Sequence, residues 1–513
     1  MSNKAKDQDD VLVFLADSKT YGGGSETVKR IDTHAASVFL TKDRVLKVKR
    51  TVKFSFLDYS TLEKRKAACK AELKVNAPYA PEIYRGVIAI TRENGGKLAL
   101  NGSGEPIEWA VEMRRFDENR TLDHITDQID DTLADALGRA VADAHEKIKP
   151  VAAEPWIEAI GQYVDEHFEA FSGYPEIFPK ADNETFAKAS RTAYERIVPL
   201  LRERGRARLI RHIHGDLHLG NIVLIDDRPV LFDAIEFSEL IASGDVLYDL
   251  AFLLMDLLER GLAKPANIVL NRYLAQTRRS EDLDALAALP FFLALRAAIR
   301  AKVTVARMEQ AKPSEQQDIA KSAQAYFDFA RRAISPAPAQ LVAVGGLSGT
   351  GKSRLARKLA PAIGPMPGAV IIRSDVERKS LFGVGETDRL GEDAYTPAVT
   401  ERIYAVAADK ARRIVAAGHA AIVDAVFARS EERETIAKTA QAAHLPLKGL
   451  FLTASLENRI ARVGSRANDA SDAGPAVAHA QESYDVGCMD WTKIDASGTP
   501  SDTLKHAKMA LSS

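Results

Sequence analysis

The chain has very little cysteine and no long uninterrupted apolar run, and both absences narrow its class. Two cysteines, Cys69 and Cys488, cannot build a disulfide framework, and they show no metal-ligand spacing. The apolar stretch at 246–258 is interrupted by Asp249 and Asp256, which argues against a membrane-spanning helix there. The first ten residues lack the apolar centre of a signal peptide. We therefore expect a cytoplasmic protein that has no membrane partner.

An excess of charge of one sign is also lacking. The formal net charge is -1, and the parts of the chain before and after residue 336 are both close to neutral. Neither part has the overall attraction to nucleic acid that a strongly basic protein has. The five arginines between residues 202 and 211 are not interleaved with aromatic residues, which favours a solvated helix end over a nucleic-acid patch. A nucleic-acid partner is therefore not expected.

The length and the change of pattern along the chain indicate two domains. Before residue 334, antiparallel strands (36–116 and 210–237) are interspersed with helical segments, which is typical of an α+β domain. After "ISPAPAQ", short apolar strands alternate with helices, which predicts an α/β domain with a parallel sheet covered on both faces. The predicted parts are a flexible N-terminus at 1–24, a first domain at 25–333, a linker at 334–340 and a second domain at 341–513.

A glycine-rich turn follows the first strand of the second domain, in "LVAVGGLSGTGKS". Glycines allow backbone N–H groups to approach phosphate oxygens, while Lys352 can reach the β- and γ-phosphates and Ser353 can ligate Mg²⁺. The turn therefore predicts ATP and Mg²⁺ as cofactors. The predicted nucleotide-binding residues are Gly346, Ser348, Gly349, Thr350, Gly351, Lys352 and Ser353.

Charged residues beyond this turn suggest what the nucleotide serves. Asp375 ends the second strand, where a carboxylate can accept a proton from an attacking hydroxyl, although Ser374 or Asp375 can equally cap the next helix. Asp424 ends another buried strand, in a position suited to Mg²⁺ or its waters. Arg462 and Arg466 precede a polar loop and can stabilise transition-state charge, with a solvated helix face as the alternative.

The pieces "GLSGTGKS", "RSDVERKSLFG" and "SRANDASDA" resemble a branch of the phosphate-loop (P-loop) proteins. It comprises small-molecule and polynucleotide kinases, alongside gluconate kinase, zeta toxins and chloramphenicol phosphotransferase. The resemblance implies an α/β/α P-loop NTPase domain with Asp375 as the catalytic base. It also implies that Lys352 acts on the phosphates and that Arg462 and Arg466 belong to a lid.

A second set of polar residues lies in "RHIHGDLHLGNIVL", residues 211–224. Asp216 and Asn221 follow a strand, and Asp233 ends the hairpin after them, so the three side chains can converge on one point. Phosphoryl transfer needs such a set, because one carboxylate accepts the hydroxyl proton and two oxygen ligands hold Mg²⁺. Taken singly, Asp216 or His218 is an ordinary turn residue.

The loop "HGDLHLGN" resembles that of the aminoglycoside phosphotransferase and choline kinase family, which has the form His-Gly-Asp-x-His-x-x-Asn. This family is related to the protein kinases. The resemblance implies a bilobal domain, with an antiparallel-sheet lobe and a helical lobe. It implies Asp216 as the catalytic base, Asn221 and Asp233 as ligands of Mg²⁺, and His214 as a supporting residue.

The same resemblance implies a lysine that contacts the α- and β-phosphates and a helix glutamate that holds it. Lys47 is preferred over Lys49 on the strand "RVLKVKR", and Glu72 is preferred over Glu63. The backbone near Met113 would then meet the adenine. Alternatively, these lysines are exposed on an edge strand and bind no phosphate.

The two sets together predict a bifunctional ATP-dependent kinase that transfers the γ-phosphoryl group to hydroxyl groups of small molecules, with one active site per domain. In one alternative, a single domain is an active kinase and the other is a nucleotide-gated regulatory or binding module. In another, the second domain is a toxin-type or polynucleotide 5′-hydroxyl kinase. The residues leave the acceptor and the oligomeric state undetermined, because acceptor pockets are built outside the motifs.

Overall fold

The computed structural model describes residues 3–22, 27–54, 57–464 and 469–512. Its internal contacts divide the chain into two compact units. The first unit comprises Met1–Glu166 and Val198–Asp256, and the second comprises His167–Ile197 and Leu257–Ser513. The division does not fall at the predicted linker, because residues 257–333 cluster with the C-terminal sheet. The domain boundaries given above therefore stay a prediction.

The first unit begins with a helix and a mostly antiparallel sheet. Its first helices are α1 (Asn3–Ala16) and α2 (Leu62–Asn76). Its first strands are β1 (Lys29–Asp32), β2 (Ala36–Leu40), β3 (Arg44–Lys49), β4 (Lys53–Phe54), β5 (Leu57–Asp58), β6 (Tyr84–Arg92), β7 (Leu98–Leu100) and β8 (Glu105–Arg114). The main sheet has the antiparallel order β1-β2-β3-β8-β6-β7. Thr61 caps α2, which packs on β6 and β8 through Cys69.

The N-terminal residues differ from the prediction. The sequence predicts a flexible segment at 1–24, but residues 3–16 of it form helix α1. Val11 and Leu15, four residues apart and therefore on one helix face, are fully buried in the core cluster on the sheet. The Gln8 side chain donates to the backbone oxygen of Lys49 at 3.0 Å and to the Glu108 carboxylate at 2.8 Å. The polar residues at the start of this segment suggested flexibility, whereas the apolar residues that follow them pack on the sheet.

The rest of the first unit carries the predicted catalytic loop. This part contains helix α3 (Asp131–Lys147) and strands β9 (Ile210–His212), β10 (Ile222–Ile225), β11 (Arg228–Leu231) and β12 (Ser243–Asp245). Helices α4 (Glu154–Ser172), α5 (Lys180–Arg206) and α6 (Val246–Glu259) are divided between the two units, because residues 167–197 and those from 257 onward belong to the second unit. Strand β9 pairs with β12, and β10 forms a hairpin with β11. Asp226 and Asp227 turn this hairpin with φ values of 50° and 57°, which Asp tolerates well. Buried Arg204 and Asp245 form an ion pair at 2.5 Å.

The second unit combines a helical segment with the C-terminal sheet. The helices of the segment are α7 (Ala263–Thr277), α8 (Ser280–Asp284), α9 (Leu289–Ala306) and α10 (Pro313–Ile334). The sheet strands are β13 (Leu341–Gly346), β14 (Val370–Arg373), β15 (Ala421–Asp424), β16 (Leu447–Thr453) and β17 (Thr492–Asp495). The helices around them are α11 (Lys352–Leu359), α12 (Ser374–Leu381), α13 (Pro397–Ala416), α14 (Ser430–Ala442), α15 (Leu456–Gly464), α16 (Pro475–Ala480) and α17 (Pro500–Ser512).

This five-stranded sheet is wholly parallel and has the order β14-β15-β13-β16-β17. Every residue of the central strand β13 is buried, as expected for a strand that helices cover on both faces. The predicted fold class is therefore confirmed: an α+β first domain with an antiparallel sheet, and an α/β second domain consistent with a P-loop NTPase. In the part of the chain that the structure describes, no helix is long and apolar enough to cross a bilayer.

The burial of α1 leads to a stability prediction. Leu15→Ala removes a fully buried side chain, so we expect the free energy of unfolding to fall by about 2–5 kcal/mol. Val13 lies on the same helix and is 72% exposed, so Val13→Ala should change it by less than about 0.5 kcal/mol. Denaturant unfolding of both variants measures the difference. Equal effects of the two substitutions would show that α1 does not pack on the sheet in solution.

Candidate active sites

The loop between β9 and β10 brings Asp216 and Asn221 together. The Asn221 side-chain amide donates to the Asp216 backbone oxygen at 2.9 Å and to its carboxylate at 3.0 Å. The His218 ring nitrogen Nε2 lies 3.4 Å from the same carboxylate. The Asp216 side chain is 40% exposed and can therefore be reached from outside. These contacts orient a carboxylate that remains accessible to an incoming hydroxyl.

Asp249 on α6 holds the start of this loop by hydrogen bonds to its backbone. Its carboxylate accepts the backbone N–H groups of His214 at 2.9 Å and Gly215 at 3.0 Å. The His214 ring nitrogen Nε2 donates to the Phe232 backbone oxygen at 2.9 Å, which ties the loop to the end of β11. Burial lowers the pKa of His214, with Asp249 opposing the shift, so the ring is neutral at pH 7. His214 therefore has the position that the sequence predicts for a supporting residue.

A cluster of charged residues lies between β3, α2 and the segment after β11. The Lys47 ammonium is 2.8 Å from the Glu72 carboxylate and 2.7 Å from the Asp233 carboxylate. The structure thus brings together the three residues that the sequence predicts. Lys49, the alternative to Lys47, also contacts Glu72, at 2.6 Å, and forms an ion pair with Glu236. The choice between the two lysines is therefore a choice between two partners of one glutamate.

Mutual attraction keeps these buried groups charged. Burial by itself lowers the pKa of Lys47, but Asp233 and Glu72 raise it well above the ordinary lysine value. Burial raises the pKa of Glu72, but Lys47 and Lys49 outweigh it and bring the pKa to about 2. At neutral pH the cluster therefore presents an ammonium group beside the ionised Glu72 carboxylate.

Two residues that hold the Asp233 segment were not predicted. The Asp233 N–H donates to the Tyr84 hydroxyl at 3.1 Å, and the Ala234 N–H donates to the side-chain oxygen of Asn76 at 2.7 Å. Asp233 itself has a φ of 61°, a left-handed conformation that needs such support in a residue with a side chain. Asn76 ends α2, where asparagine is an ordinary residue, so only its complete burial indicates a role.

A cavity of about 810 Å³ opens at the end of β8 that follows Met113. Met113 itself stands opposite Val45 of β3 in the sheet register. The apolar lining residues of the cavity are Leu40, Ile83, Phe116, Leu224 and Ile225. These residues form one part of the lining and suit a flat heterocycle such as adenine, while the other part is polar or charged and includes Lys42, Arg115 and Asp117.

The glycine-rich turn of the second unit has the expected phosphate-loop geometry. Gly346, Gly349 and Gly351 have φ values of 137°, 88° and 93°, which side-chain-bearing residues rarely adopt. A Cβ on Gly349 would lie 2.5 Å from the Arg459 backbone oxygen, so this glycine is needed for close packing as well. Lys352 begins α11, and its ammonium contacts the Leu347 backbone oxygen at 3.2 Å. Thr350 and Ser353 lie on either side of Gly351 and Lys352, at the N-terminus of α11.

Two further residues hold the phosphate loop and were not predicted for this role. Arg459 is 1% exposed, and its guanidinium donates to the Ser348 backbone oxygen at 2.9 Å. The Ser348 N–H in turn donates to the Gln481 side-chain oxygen at 2.7 Å. Because Arg459 is buried beneath the loop, the solvated helix face considered for its helix does not apply to this position. No sequence signal distinguished Arg459 from Arg462, since both have the same helical spacing.

Asp375 lies in the first turn of α12, near Arg373 and Asp424. Burial raises the pKa of Asp375; Arg373 and Lys352 oppose this shift, and Asp424 adds to it. The Arg373 guanidinium is 3.5 Å from the Asp424 carboxylate, across neighbouring strands. Electrostatic coupling to Lys352 places Asp375 on the side of the sheet where the phosphate loop lies. The predicted base and the predicted magnesium ligand are therefore close together.

A short acidic segment after α15 contacts this cluster and was not predicted to do so. Asp469 accepts from the Arg373 guanidinium at 3.0 Å. Asp472 lies 2.5 Å from the Lys379 ammonium and accepts from the Tyr395 hydroxyl. The segment thus covers one side of the Asp375 site by ion pairing. Its sequence, "DASDA", was noted only as part of a family resemblance.

The two predicted lid arginines have different outcomes. The Arg462 guanidinium donates to the Ala496 backbone oxygen at 2.8 Å. It lines a cavity of about 310 Å³ beside the start of α11, together with Thr350, Gly351 and Gly498. This position suits contact with a nucleotide. Arg466 lies outside the described residues.

Both sites offer oxygen ligands suited to Mg²⁺. Within the described ranges, no group of three or more His, Cys, Asp or Glu side chains lies close enough to hold a metal ion unaided. Each site instead pairs few protein oxygens with a nucleotide-binding feature: Asn221 and Asp233 in the first unit, Ser353 and Asp424 in the second. Mg²⁺ commonly takes one or two protein ligands and fills its remaining positions with phosphate oxygens and water. The donor sets fit this habit.

The raised pKa of Asp375 leads to a prediction about stability. A carboxyl group whose pKa is higher in the folded chain destabilises that chain increasingly as the pH rises past its unfolded pKa of about 3.9. We therefore expect Asp375→Asn to raise the Tm at pH 7, and the gain to vanish near pH 4.

Asp409 provides a matched control. Its hydrogen bond with Arg412 lowers its pKa, so Asp409→Asn should give no gain at pH 7. Thermal unfolding at a series of pH values tests both variants. A lower Tm for Asp375→Asn at pH 7 would show that its contacts with Arg373 outweigh the cost of burial.

Comparisons with known proteins agree with both halves of the chain. Residues 31–289 match the model of the phosphotransferase enzyme family, and residues 341–484 match the model of an AAA domain. An uncharacterized protein of Mycobacterium tuberculosis is 29% identical over 484 residues, which cover 91% of this chain and 92% of that protein. The two-part organisation therefore extends along nearly the whole length of this relative.

Solved structures similar to each part also exist. A choline/ethanolamine kinase family protein from Mesorhizobium loti is 15% identical, covers 64% of this chain and 99% of its own, and has a TM-score of 0.37. A gluconokinase from Sinorhizobium meliloti is 20% identical, covers 34% of this chain and 92% of its own, and has a TM-score of 0.25. Similarity at this level does not identify a substrate.

Proposed function

Because the chain belongs to the phosphotransferase enzyme family and also carries an AAA domain, we propose that it is a bifunctional ATP-dependent phosphotransferase. Each domain transfers the γ-phosphoryl group of ATP to a hydroxyl group of a small molecule at its own active site. The observation that carries the proposal is that each unit holds both an aspartate suited to act as a base and a lysine suited to bind phosphates. In the first unit Asn221 orients Asp216, and Lys47 pairs with Glu72 and Asp233. In the second unit Asp375 is buried and interacts electrostatically with Lys352.

In the first site, Asp216 is the base that accepts the proton of the acceptor hydroxyl. The hydrogen bonds from Asn221 fix the direction of its carboxylate, and its 40% exposure leaves room for the acceptor. Lys47 binds the α- and β-phosphates, since Glu72 holds its ammonium on the inner face of the sheet. The adenine binds against the apolar residues of the 810 Å³ cavity at the end of β8. Transition-state charge then develops between a fixed cation and a fixed base.

In the second site, Asp375 is the base, and its raised pKa favours proton acceptance. Backbone N–H groups of the loop from Gly346 to Ser353 bind the phosphates, which the positive φ values of its glycines permit. Lys352 stabilises charge on the β- and γ-phosphates. Arg462 contacts the nucleotide from the cavity beside α11.

Both proposed sites offer residues for a magnesium ion. A bound Mg²⁺ ion would supply positive charge that offsets the negative charge of the transferred phosphoryl group. Asn221 and Asp233 would hold it in the first site, and Ser353 and Asp424 in the second. Asp233 also lies 2.7 Å from the Lys47 ammonium, so this carboxylate lies between the proposed phosphate-binding lysine and the proposed ion site.

The decisive experiment screens a metabolite library with ATP and Mg²⁺, and detects acceptors by the mass gain of a phosphoryl group. We expect the wild type to phosphorylate two groups of acceptors. Asp216→Asn should reduce turnover of one group by about 10²–10⁴-fold and leave the other unchanged, because this is the usual contribution of a catalytic base. Lys352→Ala should have the reverse selectivity.

Other outcomes identify other functions. If Lys352→Ala removes all turnover and Asp216→Asn has no effect, the first domain is a nucleotide-gated or binding module. If neither variant changes turnover, the two-site proposal is wrong. Phosphorylation of a polynucleotide 5′-hydroxyl that depends on Lys352 would identify the second domain as a polynucleotide kinase.

A further inference from the structure

The strand that leads into Asp375 is an edge strand of the parallel sheet. Among the residues that the structure describes, strand β14 pairs only with β15 in that sheet, so its other side presents backbone groups to whatever lies next to it. An edge strand without a neighbouring strand needs other partners for its N–H and C=O groups when it is covered. Helix α7 supplies these partners, and both elements belong to the second unit.

Two asparagines of α7 replace the missing strand. The Ile371 N–H donates to the side-chain oxygen of Asn271 at 2.7 Å. The Asn271 amide donates to the Ala369 backbone oxygen at 3.2 Å, and the Asn267 amide donates to the same oxygen at 3.1 Å. The Asn271 amide is also 3.0 Å from the Asn267 backbone oxygen one turn earlier. One carboxamide thus pairs with a donor and an acceptor of β14, as a neighbouring strand would.

Ion pairs extend this attachment to the elements around Asp375. Arg272, the residue after Asn271, lies 2.5 Å from Glu386 in the loop that follows α12. Asp284 at the end of α8 lies 2.8 Å from Arg413 on α13. Strand β14, the loop after α12 and helix α13 therefore all contact one helical segment. The contacting helices α7 and α8 lie within residues 31–289, which match the phosphotransferase family model.

We propose that Asn271 is a positioning residue of the P-loop site, which it serves by fixing the strand that carries Asp375. This inference rests on the proposed function of that site. The Asn271 carboxamide fixes the backbone at Ile371, and Asp375 follows four residues later at the start of α12. A small displacement at a reacting group reduces turnover strongly while it leaves nucleotide affinity intact, because the phosphate loop is built from other elements. A helix of the first family match is thereby part of the second active site.

The first test measures the attachment without any ligand, by hydrogen exchange in the full-length chain. Asn271→Ala removes the acceptor of the Ile371 N–H, so we expect this amide to exchange about ten- to hundred-fold faster. The central strand β13 should keep its wild-type exchange. Gln276→Ala, an exposed position on the same helix, is the matched control. Unchanged exchange at Ile371 in Asn271→Ala would overturn the proposal.

The second test separates positioning from general loss of structure. In an Asp216→Asn background, Lys352-dependent ADP formation from ATP and Mg²⁺ is measured with water and with the acceptors of the library screen. Asn271→Ala should lower kcat about ten-fold and leave the KM for ATP unchanged, since the position of Asp375 changes and the phosphate loop does not. A rise in KM for ATP equal to the loss in kcat/KM, or a normal kcat, would contradict a positioning role.

The two tests also distinguish failure of this inference from failure of the proposed function. If no activity depends on Lys352, the proposed reaction of the second domain is wrong, and so is a role of Asn271 in that reaction. If Lys352-dependent activity is present and insensitive to Asn271→Ala while exchange at Ile371 rises, the proposed function stands. In that case the contact is structural only, and the positioning role is wrong.

Discussion

The pairing of Lys47 with Glu72 and Asp233 is the interaction on which the first site depends. It joins the sheet, helix α2 and the segment after β11, which are far apart in the sequence. Buried charges are tolerated only when they are paired, so the removal of one partner would leave the others unbalanced at a cost of several kcal/mol. Lys49 adds a second link to Glu72. The cluster therefore couples the position of a helix to the position of a proposed metal ligand.

The second unit holds its phosphate-binding residues in position by different contacts. Its phosphate loop is held chiefly by backbone contacts to Arg459 and Gln481, while charge pairs gather around Asp375 instead. Glycines with positive φ give this loop its curvature, so its shape depends on backbone freedom more than on charge balance. The first site thus uses opposed charges to position its lysine, and the second uses the chain itself.

Much of this arrangement could be predicted from the sequence, because the key residues lie in short motifs with fixed spacing. The fold class, the proximity of Asp216 to Asn221 and the pairing of Lys47 with Glu72 follow from local patterns and a family resemblance. The supporting residues could not be predicted in the same way. Asn76 and Gln481 are ordinary polar residues whose importance comes from burial and from distant partners. Helix α1 was missed because its apolar run, residues 11–16, is short and follows ten mostly polar residues.

The attachment of β14 to α7 limits where this chain can be divided into fragments. The Pro/Ala stretch at 334–340 looks like a natural place to cut, yet a fragment that began there would leave the edge of β14 uncovered. An exposed strand edge is a template for pairing with other chains, and such fragments tend to self-associate. The asparagines of α7 bind the backbone groups at this edge and so prevent another chain from pairing there. A shortened chain that retains the second sheet should therefore also retain α7.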